Sequence, residues 1–202
     1  MLTKQITDLK TKIIESATLV ESMIEKSIKG LSEKNTDIFF EVIKKDEPKV
    51  NHYDREIDEA CTTFIAQYEP VARDLRMVLM ILKMNNDLER MGDHAVNISE
   101  SGLFLVTRPV LKPSANISVM GQTAISMLKD SIQSFVYEDV QLARTVCQRD
   151  SIVDNLGDMI LDEITSFLRE EHDGVKRSLH LMRIAHNIER IGDLSTNICE
   201  EV

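Results

Sequence analysis

NDLERMGDHAVNISE, residues 86–100, and HNIERIGDLSTNICE, residues 186–200, are one pattern written twice, 100 positions apart. Seven of the 15 aligned positions are identical, among them Glu89/Glu189, Arg90/Arg190, Gly92/Gly192, Asp93/Asp193 and Asn97/Asn197. Working back toward the N-terminus, the best offset becomes 104. SMIEKSI at 22–28 then aligns with SMLKDSI at 126–132, and Asp46, Asn51, Asp54 and Asp58 align with Asp150, Asn155, Asp158 and Asp162. The second copy has lost four residues between these blocks. Turns tolerate such changes, whereas packed helices keep their register. The chain is therefore read as an internal duplication.

Each copy has helical periodicity. Ile6, Leu9, Ile13, Ala17, Val20, Ile24, Ile28 and Leu31 recur at three- and four-residue steps, which predicts an amphipathic helix. Gly30, Ser32 and Asn35 offer a stop and a fresh start. A second helix is predicted from Asn35 to Tyr68, burying Phe39, Ile43, Val50, Ile57, Cys61, Phe64 and Tyr68, with a kink at Pro48. A third runs from Val71 to Leu105, with Ile81, Leu88, Ala95 and Ile98 on its main stripe. Arg108-Pro109 and Lys112-Pro113 form the linker. The order then repeats over Ser114–Val136, Asp139–Arg169 and Gly174 to the end, with a turn at Glu170–Gly174. The expected fold is all-α: six helices in tandem duplicated three-helix bundles, residues 1–107 and 113–202.

Composition agrees with long packed helices. In 202 residues there are only 4 Pro, 7 Gly and no Trp, while Met reaches 10, which favours aliphatic packing between helices over an aromatic-rich sandwich. A net charge of -10 argues against general nucleic-acid binding and against adhesion to an anionic membrane. It suits cation binding or a partner with a basic docking face. Cys61, Cys147 and Cys199 are too widely spaced for a CxxC knuckle and are read as small buried or half-buried side chains in a reducing compartment. Lys4, Asp8, Lys10 and Lys12 interrupt any signal-peptide pattern, and the apolar run Met77–Leu82 is too short to span a bilayer.

The chemistry lies in the repeated acids. Residues i and i+4 stand one above the other on a helix, so Asp54/Asp58 and Glu89/Asp93 each make a two-carboxylate column. Asp158/Asp162 and Glu189/Asp193 repeat them. The columns flank the apolar stripe, where those of adjacent helices can meet. Carboxylates gathered in this way repel and take up protons unless a cation neutralises them. Their oxygens suit Fe, Mn, Mg, Ca or Zn, and bridging carboxylates can hold more than one ion. Against this stands the plain reading of acids as the solvated faces of long helices. Recurrence in register across the duplication favours the columns.

Around them, Arg90 and Arg190 are candidates for orienting or neutralising carboxylates or for surface ion pairs. Gly92 and Gly192 point to close helix approach. Asn97 and Asn197 fit interhelical hydrogen bonding, and His94 is expected to be exposed because consecutive helical residues point about 100° apart. His186, three residues before Glu189, can add a nitrogen that Asn86 cannot. No Ser-His-acid arrangement or Gly-rich phosphate cradle is evident.

With VNHYDREIDEA at 50–60, ARDLRMVLMILKMNNDLERMGDHAVNI at 72–98 and SLHLMRIAHNIERIGDLSTNICE at 178–200, the sequence resembles the PhoU family of phosphate-uptake regulators. The likeness covers essentially the whole chain. It implies tandem three-helix bundles whose E/DxxxD motifs are associated with multinuclear metal sites, iron in some members. Carried over by residue, one metal set is Asp54, Asp58, Glu89 and Asp93, and the other is Asp158, Asp162, Glu189 and Asp193. Asp154 lies one turn before Asp158 without an acidic counterpart at position 50, and Asn86/His186 and His94/Leu194 also break the likeness. The resemblance further implies a non-enzymatic, cytoplasmic negative regulator that links the ATPase of a phosphate transporter to a sensor kinase, held at the membrane through protein partners only. Wide lateral faces suit a homodimer. A carboxylate-bridged metalloenzyme and a metal-buffering protein are the alternatives; the former needs an open coordination position and a substrate pocket.

Overall fold

The computed structural model describes residues 2–109, 114–170 and 174–202. Lys112-Pro113 of the expected linker and 171–173 of the last turn lie outside the described residues. The helices are α1 (Leu2–Glu33), α2 (Thr36–Glu41), α3 (Glu47–Tyr68), α4 (Ala72–Val106), α5 (Ser114–Tyr137), α6 (Val140–Glu170) and α7 (Val175–Glu201). A π-helical segment, Val42–Asp46, joins α2 and α3 into one rod, so the seven segments make six helical rods in tandem three-helix bundles.

α1 buries the expected stripe from Leu9 to Ile28. It continues through Gly30, which is not a stop but a clearance. A Cβ there would come within 2.7 Å of the Phe39 ring, and one at Gly102 within 2.4 Å. The two glycines make the slot that Phe39 fills completely. The stop comes at Lys34, in the left-handed region at φ 53°. Asn35 donates its backbone N–H to Gly30 O (3.1 Å), and its side chain caps α2 by accepting from Asp37 N (3.0 Å).

The break near Pro48 takes a specific form. Proline has no N–H for the carbonyl four residues back and its ring crowds that carbonyl. One turn earlier the backbone widens, and Glu47 N–H bonds Val42 O in a π-type step. Val42 and Asp46 are buried here, whereas Ile43, expected in the core, is only half-buried, as is Tyr68 at the helix end.

α1, α3 and α4 form the first bundle and α5, α6 and α7 the second. The bundles are joined where α4 packs against α7 and α1 against α5, and their buried residues form one continuous core. α4 and α7 run antiparallel. Lys83 meets Glu201 (2.6 Å), the His94 ring hydrogen-bonds Asn187 Oδ1 (2.8 Å), and Arg183 donates to Asn97 Oδ1 (2.6 Å). His94 is thus half-buried at the seam between the halves instead of exposed, and burial lowers its pKa. None of the described helices is long and apolar enough to cross a membrane.

Candidate functional site

In the first half, α3 and α4 carry the two expected columns along one groove. Their approach is close because Gly92 lacks a side chain: a Cβ there would lie 3.2 Å from Val50 Cγ1. Asp54 and Glu89 are half-buried, while Asp58 and Asp93 are exposed. Burial, then the neighbouring Asp58 charge, pushes the Asp54 pKa up. Glu89 is raised by burial, then by Asp93 on its own helix and Asp54 across the groove. The two columns therefore meet electrostatically, as the spacing predicts.

Asn85 was not singled out by sequence. It sits buried on α4 and donates through Nδ2 to Asp54 Oδ1 (2.8 Å) and to Asp54 O (2.9 Å), which orients the carboxyl. A polar residue on an apolar stripe was the available signal. Its counterpart in the second half is Ala185.

The second half is arranged differently. Asp158 and Asp162 are exposed on α6, and Glu189 and Asp193 are half-buried on α7. A carboxylate missed as a site residue comes forward: Asp150, two turns before Asp158. Burial raises its pKa first, followed by Asp154, Asp193 and Glu189, and its Oδ1 is fully enclosed with no hydrogen-bond partner. The acidic groove of this half thus extends toward the start of α6, taking in Asp154. The pairing of Asp46 with Asp150 in the repeat was the signal. Gly192 of α7 lies beside it: a Cβ there would stand 3.5 Å from Asp150 Oδ1, an ordinary contact distance.

Arginines trim both grooves. Arg190 donates to Asp193 Oδ2 (2.9 Å) and Arg90 lies 3.8 Å from Asp87. Asn97, which accepts from Arg183, ties α4 to α7, as interhelical bonding predicts. Among the described residues, no group of three or more His, Cys, Asp or Glu side chains converges into a set ready to hold a metal ion. What stands out is a carboxyl pushed toward its neutral form in each half: Asp54 and Glu89 in the first, Asp150 in the second.

These features define a class: tandem three-helix bundles with a carboxylate-lined groove in each half. A family model described as the PhoU domain matches residues 13–102 and 117–202. The chain belongs to the PhoU family of phosphate-transport accessory and regulatory proteins. It is 37% identical over 189 residues to the phosphate-specific transport system accessory protein PhoU homolog of Aquifex aeolicus, covering 94% of this chain and 85% of that protein. It is 31% identical over 200 residues to PhoU homolog 1 of Thermotoga maritima, covering 98% of this chain and 86% of the relative. The crystal structure of PhoU from Pseudomonas aeruginosa superposes with a TM-score of 0.96 at 26% identity, covering 100% of this chain and 96% of that one.

Proposed function

We propose that this chain is a negative regulator of phosphate uptake and phosphate-responsive signalling. It acts in the cytoplasm as a metal-binding adaptor between the ATPase of a phosphate transporter and a sensor kinase. The observation that carries the reading is near-full-length likeness to relatives named for the phosphate-specific transport system. The absence of a membrane-crossing helix among the described residues fits attachment through protein partners. Wide bundle faces suit a homodimer.

The metal reading rests on the donor set. Asp54, Asp58, Glu89 and Asp93 in one half, and Asp158, Asp162, Glu189 and Asp193 in the other, offer hard oxygen ligands, with Asp150 and Asp154 extending the second. Raised pKa values at Asp54, Glu89 and Asp150 and the orphaned Asp150 oxygen fit a site that welcomes a cation. Iron is favoured by the family resemblance, with Mn, Zn, Mg and Ca of suitable chemistry. Bound there, a cation would neutralise the carboxylates and brace α3 against α4, or α6 against α7. Side-chain rearrangement must accompany binding, because the donors do not converge beforehand.

The test is a pull-down from membranes of phosphate-replete cells. It compares wild type with Glu89→Ala/Asp93→Ala and Glu189→Ala/Asp193→Ala, with metal content measured by mass spectrometry. Wild type is expected to recover the transporter ATPase or the sensor kinase, and the variants to lose metal and partner together. Recovery of neither partner by folded wild type overturns the adaptor reading. A metal-free wild type, purified from metal-replete cells, overturns the role of the carboxylates.

A further inference from the structure

The three cysteines are far apart in sequence, yet two of them fall opposite each other across the second bundle. α6 and α7 pack antiparallel: a Cβ at Gly157 would lie 3.6 Å from Glu189 Oε2, and one at Gly192 would lie 3.6 Å from Val153 Cγ1. Continuing that register toward the start of α6 brings Cys147, six residues before Val153, opposite Cys199, seven residues after Gly192. Each sulfur accordingly perturbs the other thiol. Cys199 is buried, with Sγ 3.9 Å from Ser134 Oγ, and Cys147 is half-buried at the helix surface. In the first half the equivalent positions hold Ile43 and Ser99, so the pair is not part of the repeated plan.

We propose that Cys147 and Cys199 are a reversible dithiol–disulfide couple that clamps the start of α6 to the end of α7 under peroxide stress. Cys147, the more accessible sulfur, loses its proton and attacks one oxygen of hydrogen peroxide. The O–O bond breaks, leaving a sulfenic acid and one water. Cys199 Sγ then attacks the sulfenic sulfur and expels the hydroxyl, which leaves with the Cys199 proton as a second water. Two thiols are oxidised by two electrons in all, and one peroxide is reduced to two waters.

The surroundings set the character of the couple. Burial pushes Cys199 up to about 12, and burial followed by Glu200 and Asp150 raises Cys147. Few thiolates are present near neutrality, so closure is slow and answers sustained rather than brief oxidant exposure. The same high thiol pKa makes each sulfur a poor leaving group, so the bond, once made, is also reduced slowly. Cys147 lies one turn before Asp150, and the clamp therefore holds that carboxylate against α7.

Native reduced protein is treated with hydrogen peroxide, quenched with an alkylating agent and peptide-mapped without reduction. The expected product is a Cys147–Cys199 cross-linked peptide that dithiothreitol dissolves, with Cys61 alkylated only after unfolding. Cys147→Ser, a change at a half-buried surface position, is expected to abolish the cross-link and leave Cys199 a free thiol. Cys147 driven to sulfinic or sulfonic acid beside an unmodified Cys199, or both thiols intact after prolonged exposure, overturns the proposal. The readout is a covalent bond, so it stands or falls independently of metal and partner binding.

Discussion

Asp46 and Asp150 hold the same place in the two halves and live in opposite surroundings. At Asp46, Lys26 Nζ lies 2.7 Å from one carboxylate oxygen and Lys49 Nζ 3.0 Å from the other, and the side chain is 3% exposed. Burial works to raise its pKa, but the bonds from Lys26 and Lys49 outweigh that and hold it low. Two substitutions remove this arrangement from the second half. Lys26 becomes Asp130 and Lys49 becomes Val153, while Arg149 pairs with Asp130. Asp150 is left with other acids around it. One half neutralises its buried carboxylate internally, and the other leaves its half-buried one without a cation among its described neighbours. A duplicated backbone thus hosts two chemistries, decided by one neighbour on the packed helix and one on the aspartate's own rod.

The sharpest break of this comparison concerns packing beside Asp46. Phe39 fills the slot left by Gly30 and Gly102, whereas the second half has Ala143 in its place. Phe39→Ala is expected to cost about 3–5 kcal/mol in denaturant unfolding, and Ala143→Gly only about 1. Equal losses would mean that the halves do not differ in how they anchor the second rod.

Next is the charge itself. Asp46→Asn leaves Lys26 and Lys49 facing a neutral amide and is expected to lower stability by about 2 kcal/mol at neutral pH. Asp150→Asn removes a charge that has no cation, and the metal-free protein is expected to melt about 2 °C higher. Opposite signs sharpen the comparison, and a shared sign breaks it.

The pH dependence follows from the same pKa directions. The low Asp46 pKa contributes stability that is present above the ordinary aspartate value of about 3.9 and lost as pH falls through its lower folded value. Asp54, Glu89 and Asp150 have raised values, so their contribution is full below the ordinary carboxylate range and lost as pH rises through their folded values. Chelator-treated protein is therefore expected to gain melting temperature as pH falls from neutrality toward the ordinary carboxylate range, and to lose part of that gain in Asp150→Asn. Calorimetry across that pH series reads both.

The smallest expected effect is at Asn85→Ala, which removes both hydrogen bonds to Asp54 and is expected to cost about 1 kcal/mol. With Ala185 already standing at the equivalent place, that variant makes the first groove resemble the second. Metal content of this variant, measured against wild type, reads whether Asp54 needs its orienting partner.

By itself the sequence determined the six helical rods, the duplication and the facing columns of the first half, because 3.6-residue periodicity and a repeated motif are local properties of the chain. Asn35 capped a helix as its side chain dictates, and Gly92 marked close approach. Only tertiary structure decided that Gly30 is a clearance for Phe39, that the turn before Pro48 widens into a π segment, and that His94 closes the seam with Asn187. It alone set Cys147 opposite Cys199, satisfied Asp46 and left an Asp150 oxygen unsatisfied. Each of these depends on which residue of a distant helix lies opposite, and helix register across a packed interface is set by the packing of the whole core.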